Sequence, residues 1–241
     1  MMSTLYERLY RLVTDTSEEE IAKGREDPHA KAIPANFLRL LMVRTGSKVA
    51  DRLASPKTTL AWLLQALGAP PVFTGIIVPL RESGSLLPQA FLSNFLKRFP
   101  VRKWAWSLGA AFQGVAIAGC ALVALNLRGV SAGVAIVALL VAFSLARGMS
   151  SVTAKDVLGK TIPKRKRGQL TGWAASASGL VAIVAACLLF FLDEGTESIL
   201  GYAAYLGVAA FLWWLAALVH IRVEEPAGET ESGLWKGSQP S

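Results

Sequence analysis

Ser55-Pro56-Lys57-Thr58-Thr59-Leu60 and Leu80-Arg81-Glu82-Ser83-Gly84-Ser85-Leu86-Leu87-Pro88-Gln89 lie inside one stretch, residues 36–100, on which the reading of the whole chain turns. The stretch is apolar enough to enter a membrane, yet it carries Arg44, Lys48, Asp51, Arg52, Lys57, Arg81 and Glu82. A charge at lipid depth is costly, so such residues face a water-filled cavity or a neighbouring helix and point to a functional path. Together with Gln89 they are the candidate lining of a substrate and proton pathway.

Two readings of residues 36–67 stand side by side. Projected at ~100° per residue, Arg44, Thr45, Lys48, Asp51, Arg52, Ser55, Thr58 and Thr59 share one polar stripe, with leucine, valine and alanine around the rest. A single helix of about 30 residues would be ~45 Å long and would cross the bilayer, with Pro56 kinking it near the middle. In the other reading residues 36–56 form a soluble or interfacial amphipathic helix and the first span begins at Thr58. Gly68-Ala69-Pro70-Pro71 is a strong turn signal. A second span then covers 72–96 in the first reading. In the other it is shortened to 84–96, only ~20 Å of helix against a hydrocarbon core of ~30 Å.

Composition sets the class. Of 241 residues 53% are hydrophobic and 17% charged, and mean hydropathy is +0.43, which marks a membrane protein. Residues 104–127, 130–146, 170–192 and 198–219 contain no Asp, Glu, Lys or Arg, and all but 130–146 exceed the ~20 residues a span needs. The expected architecture is an all-α integral membrane protein with six transmembrane helices, at about 37–66, 72–96, 104–127, 130–151, 169–192 and 198–221. A segment 1–35 precedes the bundle of 36–223, and 224–241, rich in Gly, Ser, Pro and Glu, reads as a disordered tail. No apolar leader pattern occurs in 1–35, so the first helix is expected to direct insertion into the cell (inner) membrane.

The formal net charge of +8 follows topology. Lys97, Arg98, Arg102 and Lys103 come after one helix, and Lys155, Lys160 and the run 164–167 after another, whereas the opposite loops hold Arg128, Asp193, Glu194 and Glu197. The asymmetry places both termini and both basic loops in the cytoplasm. No aromatic and glycine pattern of a nucleic-acid module accompanies the basic residues, so no nucleic-acid partner is expected. Cys120 and Cys187 sit in apolar blocks as small packing residues, and His29 and His220 lack a catalytic neighbourhood. No triad spacing, metal-ligand cluster or phosphate loop appears, so neither an enzyme nor a cofactor is expected.

Near the N-terminus, apolar positions 5, 9, 12 and 13 fit one helical face, and Ser17 with Glu20 offers a capping box. This segment reads either as an amphipathic helix on the inner membrane surface or as a flexible tail. Glycines and alanines in 104–151, such as Gly109, Gly114, Gly119 and Gly133, suit close helix packing in lipid.

Six helices with a basic turn after the second and a basic link after the fourth resemble the N-terminal half of a major facilitator superfamily transporter. The family's turn reads Gly-x-x-x-Asp-Arg-x-Gly-x-Arg-Arg or Lys. Here Arg98, Arg102 and Lys103 match its basic residues, while Ser93 and Pro100 replace the glycines and Lys97 the acid. After the fourth helix, Asp156, Pro163, Arg167-Gly168 and Gly172 resemble Asp…Pro-x-x-x-Arg-Gly-x-x-x-Gly, with Arg147-Gly148 preceding it. The antiporter signature Gly-Pro-x-x-Gly-Gly is absent from the fifth helix.

The resemblance covers 36–223 and implies a twelve-helix assembly with substrate held between two halves. The second half would be a second copy, a separate partner or a further stretch of chain. It also implies that Arg98, Arg102, Lys103, Asp156 and Arg167 belong to cytoplasmic gate loops. Counting outward from the 68–71 turn puts Lys57 and Glu82 at similar depth as an ion pair, with Asp51 or Glu82 able to exchange a proton. Five basic residues against two acidic ones in 44–82 favour an anionic small-molecule solute. The competing expectation is a six-helix scaffold or assembly subunit in a larger membrane complex.

Overall fold

The computed structural model describes residues 2–16, 31–84, 100–192 and 198–227, and every regular element among them is helical. In chain order these are α1 (Met2–Thr14), α2 (Ile33–Leu53), α3 (Thr59–Ala66), α4 (Pro71–Gly84), α5 (Lys103–Asn126), α6 (Gly129–Thr161), α7 (Lys164–Leu192) and α8 (Ile199–Ile221). Three of these, α5, α6 and α8, are long and apolar enough to cross a membrane. Their outward faces carry large apolar side chains, among them Phe112 and Leu122 on α5, Val134 and Leu145 on α6, and Phe211 and Leu218 on α8. The molecule is a membrane protein.

The stretch expected as one kinked helix over 37–66 is two helices. Pro56 has no N–H to donate and disfavours helical geometry at Ser55, and residues 54–58 form a turn between α2 and α3. The break leaves the Ala54 carbonyl without a helical partner, and Arg81 Nη1 of α4 donates to it. At the far end of α3, Gly68 adopts φ +70°. That left-handed residue closes the helix, with the amide of Ala69 donating to Leu64 O at 2.9 Å. Pro71 then opens α4, where its missing N–H costs nothing. The second expected span, 72–96, is described only as far as Gly84; its remainder lies outside the described residues.

The fourth expected span, 130–151, runs ten residues further, to Thr161. Residues 155–161, expected to begin a basic connection over 155–168, instead complete α6, and only Ile162 and Pro163 separate it from α7. Arg167 holds this corner, donating Nε to Ile162 O at 2.8 Å and Nη2 to Gly159 O at 2.6 Å. These bonds satisfy carbonyls at the helix end, where a cation also complements the dipole.

α8 packs on α5 and α2, α6 on α5 and α4, and α7 on α2. The main core, with Leu63, Leu64, Ile77, Ile117, Ile136 and Leu206 fully buried, begins at the α3–α4 turn and runs along the bundle to Val43, Trp106 and Trp213. There the Gly129 amide, at φ +60°, donates to Leu67 O at 2.8 Å and pins the α5–α6 turn to the end of α3. A second core at the opposite end joins Tyr10, Phe37, Leu38, Val157, Ile162 and Leu170. Through it α1 docks on the bundle, with Tyr10 edge-on to Phe37 at 5.2 Å. Two further bonds fasten α1: Trp173 Nε1 to Val13 O at 2.9 Å and Lys166 Nζ to Thr14 O at 3.0 Å. The capping box at Ser17 and Glu20, and 228–241 of the tail, lie outside the described residues.

At Gly109 of α5 two helices approach closely. A Cβ there would overlap Ser150 Oγ and come 2.9 Å from Ala146 O, so α6 would have to retreat. Gly109→Ala is therefore expected to lower stability by about 1–3 kcal/mol, measured by unfolding in mixed micelles. Gly159→Ala on the same bundle meets nothing within 4 Å and should be neutral or gain about 0.5–1 kcal/mol.

Candidate functional site

Toward the basic end of the bundle α2, α5, α6 and α8 line a partly open cavity of about 290 Å³. Because α2 turns its polar stripe inward, Arg44, Lys48 and Asp51 stand one turn apart along one wall. Arg147, Ser150, Ser151 and Lys155 of α6 form the facing wall, and Gln113 and Trp106 of α5 with Trp213 and His220 of α8 close the sides.

Asp51 is the electrostatic centre. Its Oδ1 accepts from Arg81 Nη2 at 2.9 Å and from Arg147 Nη1 at 2.6 Å. The guanidinium of Arg81 lies over the Phe143 ring at 4.6 Å, and that of Arg147 over Trp213 at 5.8 Å. Phe143 and Trp213 meet edge to face at 6.2 Å. Each arginine is thus held by a carboxylate and by an aromatic face, two interactions that strengthen away from water. One carboxylate joins α2, α4 and α6.

No carboxylate among the described residues pairs with Arg44, Lys48 or Lys155. The cavity therefore has an excess of positive charge. Two buried polar atoms of its wall residues have no partner: the Trp213 indole Nε1 and the Gln113 Oε1. The Gln113 amide is oriented by its other end, because Nε2 donates to Gly109 O at 3.2 Å and to Ser150 Oγ at 3.1 Å. A carbonyl only accepts, so the nitrogen faces Gly109 and the oxygen is the orphan. Each such group costs about 1–3 kcal/mol while unpaired. His220 is fixed against Trp106 by ring stacking at 4.1 Å and lies 3.3 Å from Ser107 Oγ through Nδ1.

The other expected pathway residues lie elsewhere. Arg81 stands behind Asp51 rather than on the cavity wall, and Arg52 turns to α7, donating to Ser178 O at 3.4 Å. Lys57 and Glu82 do form an ion pair, at 2.6 Å, but their side chains are 63% and 61% exposed and lie off the cavity. Gln89 falls outside the described residues. Arg147 was not among the expected residues. The signal for it was present, since it is the sole charge in 130–154.

Of the expected gate residues, Arg98 lies outside the described residues. Arg102 Nη1 pairs with Asp156 Oδ1 at 2.8 Å, and Lys160 with Asp156 at 3.1 Å and Glu225 at 3.0 Å. The Glu225 carboxylate, 0% exposed, also accepts the backbone amides of Arg102 and Lys103, at 2.9 and 2.7 Å, where α5 begins. Lys103 Nζ in turn donates to Val223 O at 2.8 Å. Asn36 exchanges two bonds with the backbone of Glu224, at 2.8 and 2.9 Å. The segment 223–225 therefore ties the basic ends of α2, α5, α6 and α8 together. Among the described residues no group of three His, Cys, Asp or Glu side chains could hold a metal ion.

Comparison of the chain with known protein families, with curated proteins and with solved structures finds no match. The class rests on what the chain itself displays: an all-helical membrane protein with a positively charged cavity inside its helix bundle.

Asp51→Asn should be costlier than Arg81→Ala. The first leaves two guanidinium groups facing each other without their acid, about 3 kcal/mol by analogy with broken buried pairs; the second leaves Asp51 still held by Arg147. Unfolding in mixed micelles should rank them in that order, and the double variant should fall well short of the sum.

Proposed function

We propose that the chain is a six-span bundle of the major facilitator type in the cell (inner) membrane, with both termini cytoplasmic, and that it carries a small anionic solute by alternating access. A second six-helix unit, from a second copy, a partner or further chain, would complete the path. The observation that carries this reading is the placement of Arg44 and Lys48, with no acid partner among the described residues, inside a bundle whose outward faces are apolar. Charges at such depth are retained where they serve a pathway.

The two ends of the bundle support the same reading. Around the α3–α4 turn the bundle holds a core of buried apolar residues. The cavity reaches toward the end that bears Lys155 and the basic link, the cytoplasmic end by charge asymmetry. On this reading the cavity, set among α2, α5, α6 and α8 toward the basic end, would be the part of the path open in an inward-facing state. The polar stripe on α2 supplies the lining and α6 supplies Arg147 opposite it.

Alternating access is testable before a cargo is known. With Cys120 and Cys187 replaced by Ala, Ser151→Cys places a single thiol on the cavity wall. In membrane vesicles of defined orientation, a carrier should expose that thiol to an impermeant reagent from both faces in turn, with the balance shifting as Asp51→Asn is added. Labelling confined to the cytoplasmic face under every condition would remove the carrier reading in favour of a membrane scaffold.

A further inference from the structure

We propose that the cavity takes a small hydroxylated organic dianion, held by Arg44, Lys48 and Lys155 through its charges and by Gln113 and Trp213 through its hydroxyl. The inference rests on the carrier reading for its consequence, that this ligand is what crosses the membrane, but the binding site stands on its own geometry.

Charge comes first. Of the ionic groups lining the cavity, Arg147 is already engaged by Asp51, which leaves Arg44, Lys48 and Lys155 without an acid among the described residues. Arg44 and Lys48 are four residues apart on α2 and so share a face, while Lys155 comes from α6. Cations on two opposed walls suit a ligand with negative charge at both ends better than a single carboxylate would. Asp51 does not cancel this field, because its Oδ1 already serves two arginines.

The hydroxyl is read from the orphaned groups. Gln113, 0% exposed, has its Nε2 committed to Gly109 O, so its free Oε1 asks for a donor. A fully ionised dicarboxylate has none to offer. Trp213, 2% exposed, has a free N–H that asks for an acceptor. A hydroxyl is both donor and acceptor and answers both. Both residues line the cavity, and their unpaired atoms are shut off from it as the walls now stand; binding therefore requires that these two side chains turn toward the ligand. A site built with a buried acceptor discriminates strongly against the analogue that lacks the donor. The volume of about 290 Å³ suits a molecule of this small class. Hydroxycarboxylates and phosphate esters of small polyols share this chemistry.

The test uses the full chain extracted from membranes in its native assembly, with malate, succinate, glycerol 3-phosphate and neutral glycerol as probes and thermal melting as readout. Malate is expected to raise the melting temperature and to bind about tenfold more tightly than succinate, which differs only by the hydroxyl. Arg44→Gln should weaken both acids, whereas Gln113→Leu should reduce malate to the level of succinate and leave succinate unchanged. If Gln113→Leu fails to fold, the wild-type comparison decides alone. Stronger binding of glycerol 3-phosphate than of malate supports the same site and assigns its ligand to the phosphate esters; the reverse order assigns it to the carboxylates. Equal binding of malate and succinate, or no shift with any anion, overturns the proposal. Thiol labelling that alternates between faces without any anion bound would leave the carrier reading intact and remove only the ligand. A bound anion with labelling from one face would do the opposite.

Discussion

The Asp51 carboxylate is the constraint on which the rest of the bundle depends. It collects a guanidinium from α4 and another from α6 on a single oxygen, so one acid joins three helices at a common depth. The arrangement needs the break at Pro56. A continuous helix would engage the Ala54 carbonyl in its own ladder, whereas the turn at 54–58 hands that carbonyl to Arg81. Arg81 then satisfies a backbone acceptor and an acid from one planar group, with Phe143 covering its face. Lysine could not do this, because its ammonium lacks both the fork and the flat surface.

How far the fold was legible depended on how much of the decision was local. α5 and α8 follow directly from charge-free blocks long enough to span, and their observed ends fall within a residue or two of the expected ones. The end of α6 did not follow, because 155–161 carries Lys155, Asp156 and Lys160 and reads as a link. Within the helix those side chains find partners: Lys160 pairs with Asp156 along it, and Asp156 reaches Arg102 across to α5. That second contact is tertiary and leaves no trace in a window of sequence. Pro56 was legible as a disturbance, but its strength as a break depended on Arg81 being present to take up the freed carbonyl.

The site was legible by face and not by neighbour. Helical projection correctly grouped Arg44, Lys48 and Asp51, which line the cavity together. It could not separate Arg52, one residue on and turned toward Ser178 of α7, since a stripe less than half a circumference wide spans more than one neighbouring helix. Equal depth correctly paired Lys57 with Glu82, but depth does not say which side of a helix pair faces inward. Arg147 closes the argument from the other direction. A lone charge in an otherwise apolar span demands a partner, and Asp51 was already in view as an acid embedded among cations.

The basic end adds a mechanical consequence. Glu224 and Glu225 follow α8 directly, and through them the inner ends of α2, α5, α6 and α8 share one set of bonds. Glu225 is buried and receives two amides and an ammonium, the kind of charge-assisted cluster that is costly to separate in part. At the opposite end α5, α6 and α8 meet α3 and α4 through apolar packing and the Gly129 to Leu67 bond. A bundle fastened at both ends does not open by spreading its own helices. Under the carrier proposal, access to the cavity would then change by motion of the bundle as a body against a second unit, the rocking of paired halves around a midplane site. On the same proposal, Arg44 and Lys48 would keep their positions on α2 as such a half moved, so the positive field would be the same whichever face was open.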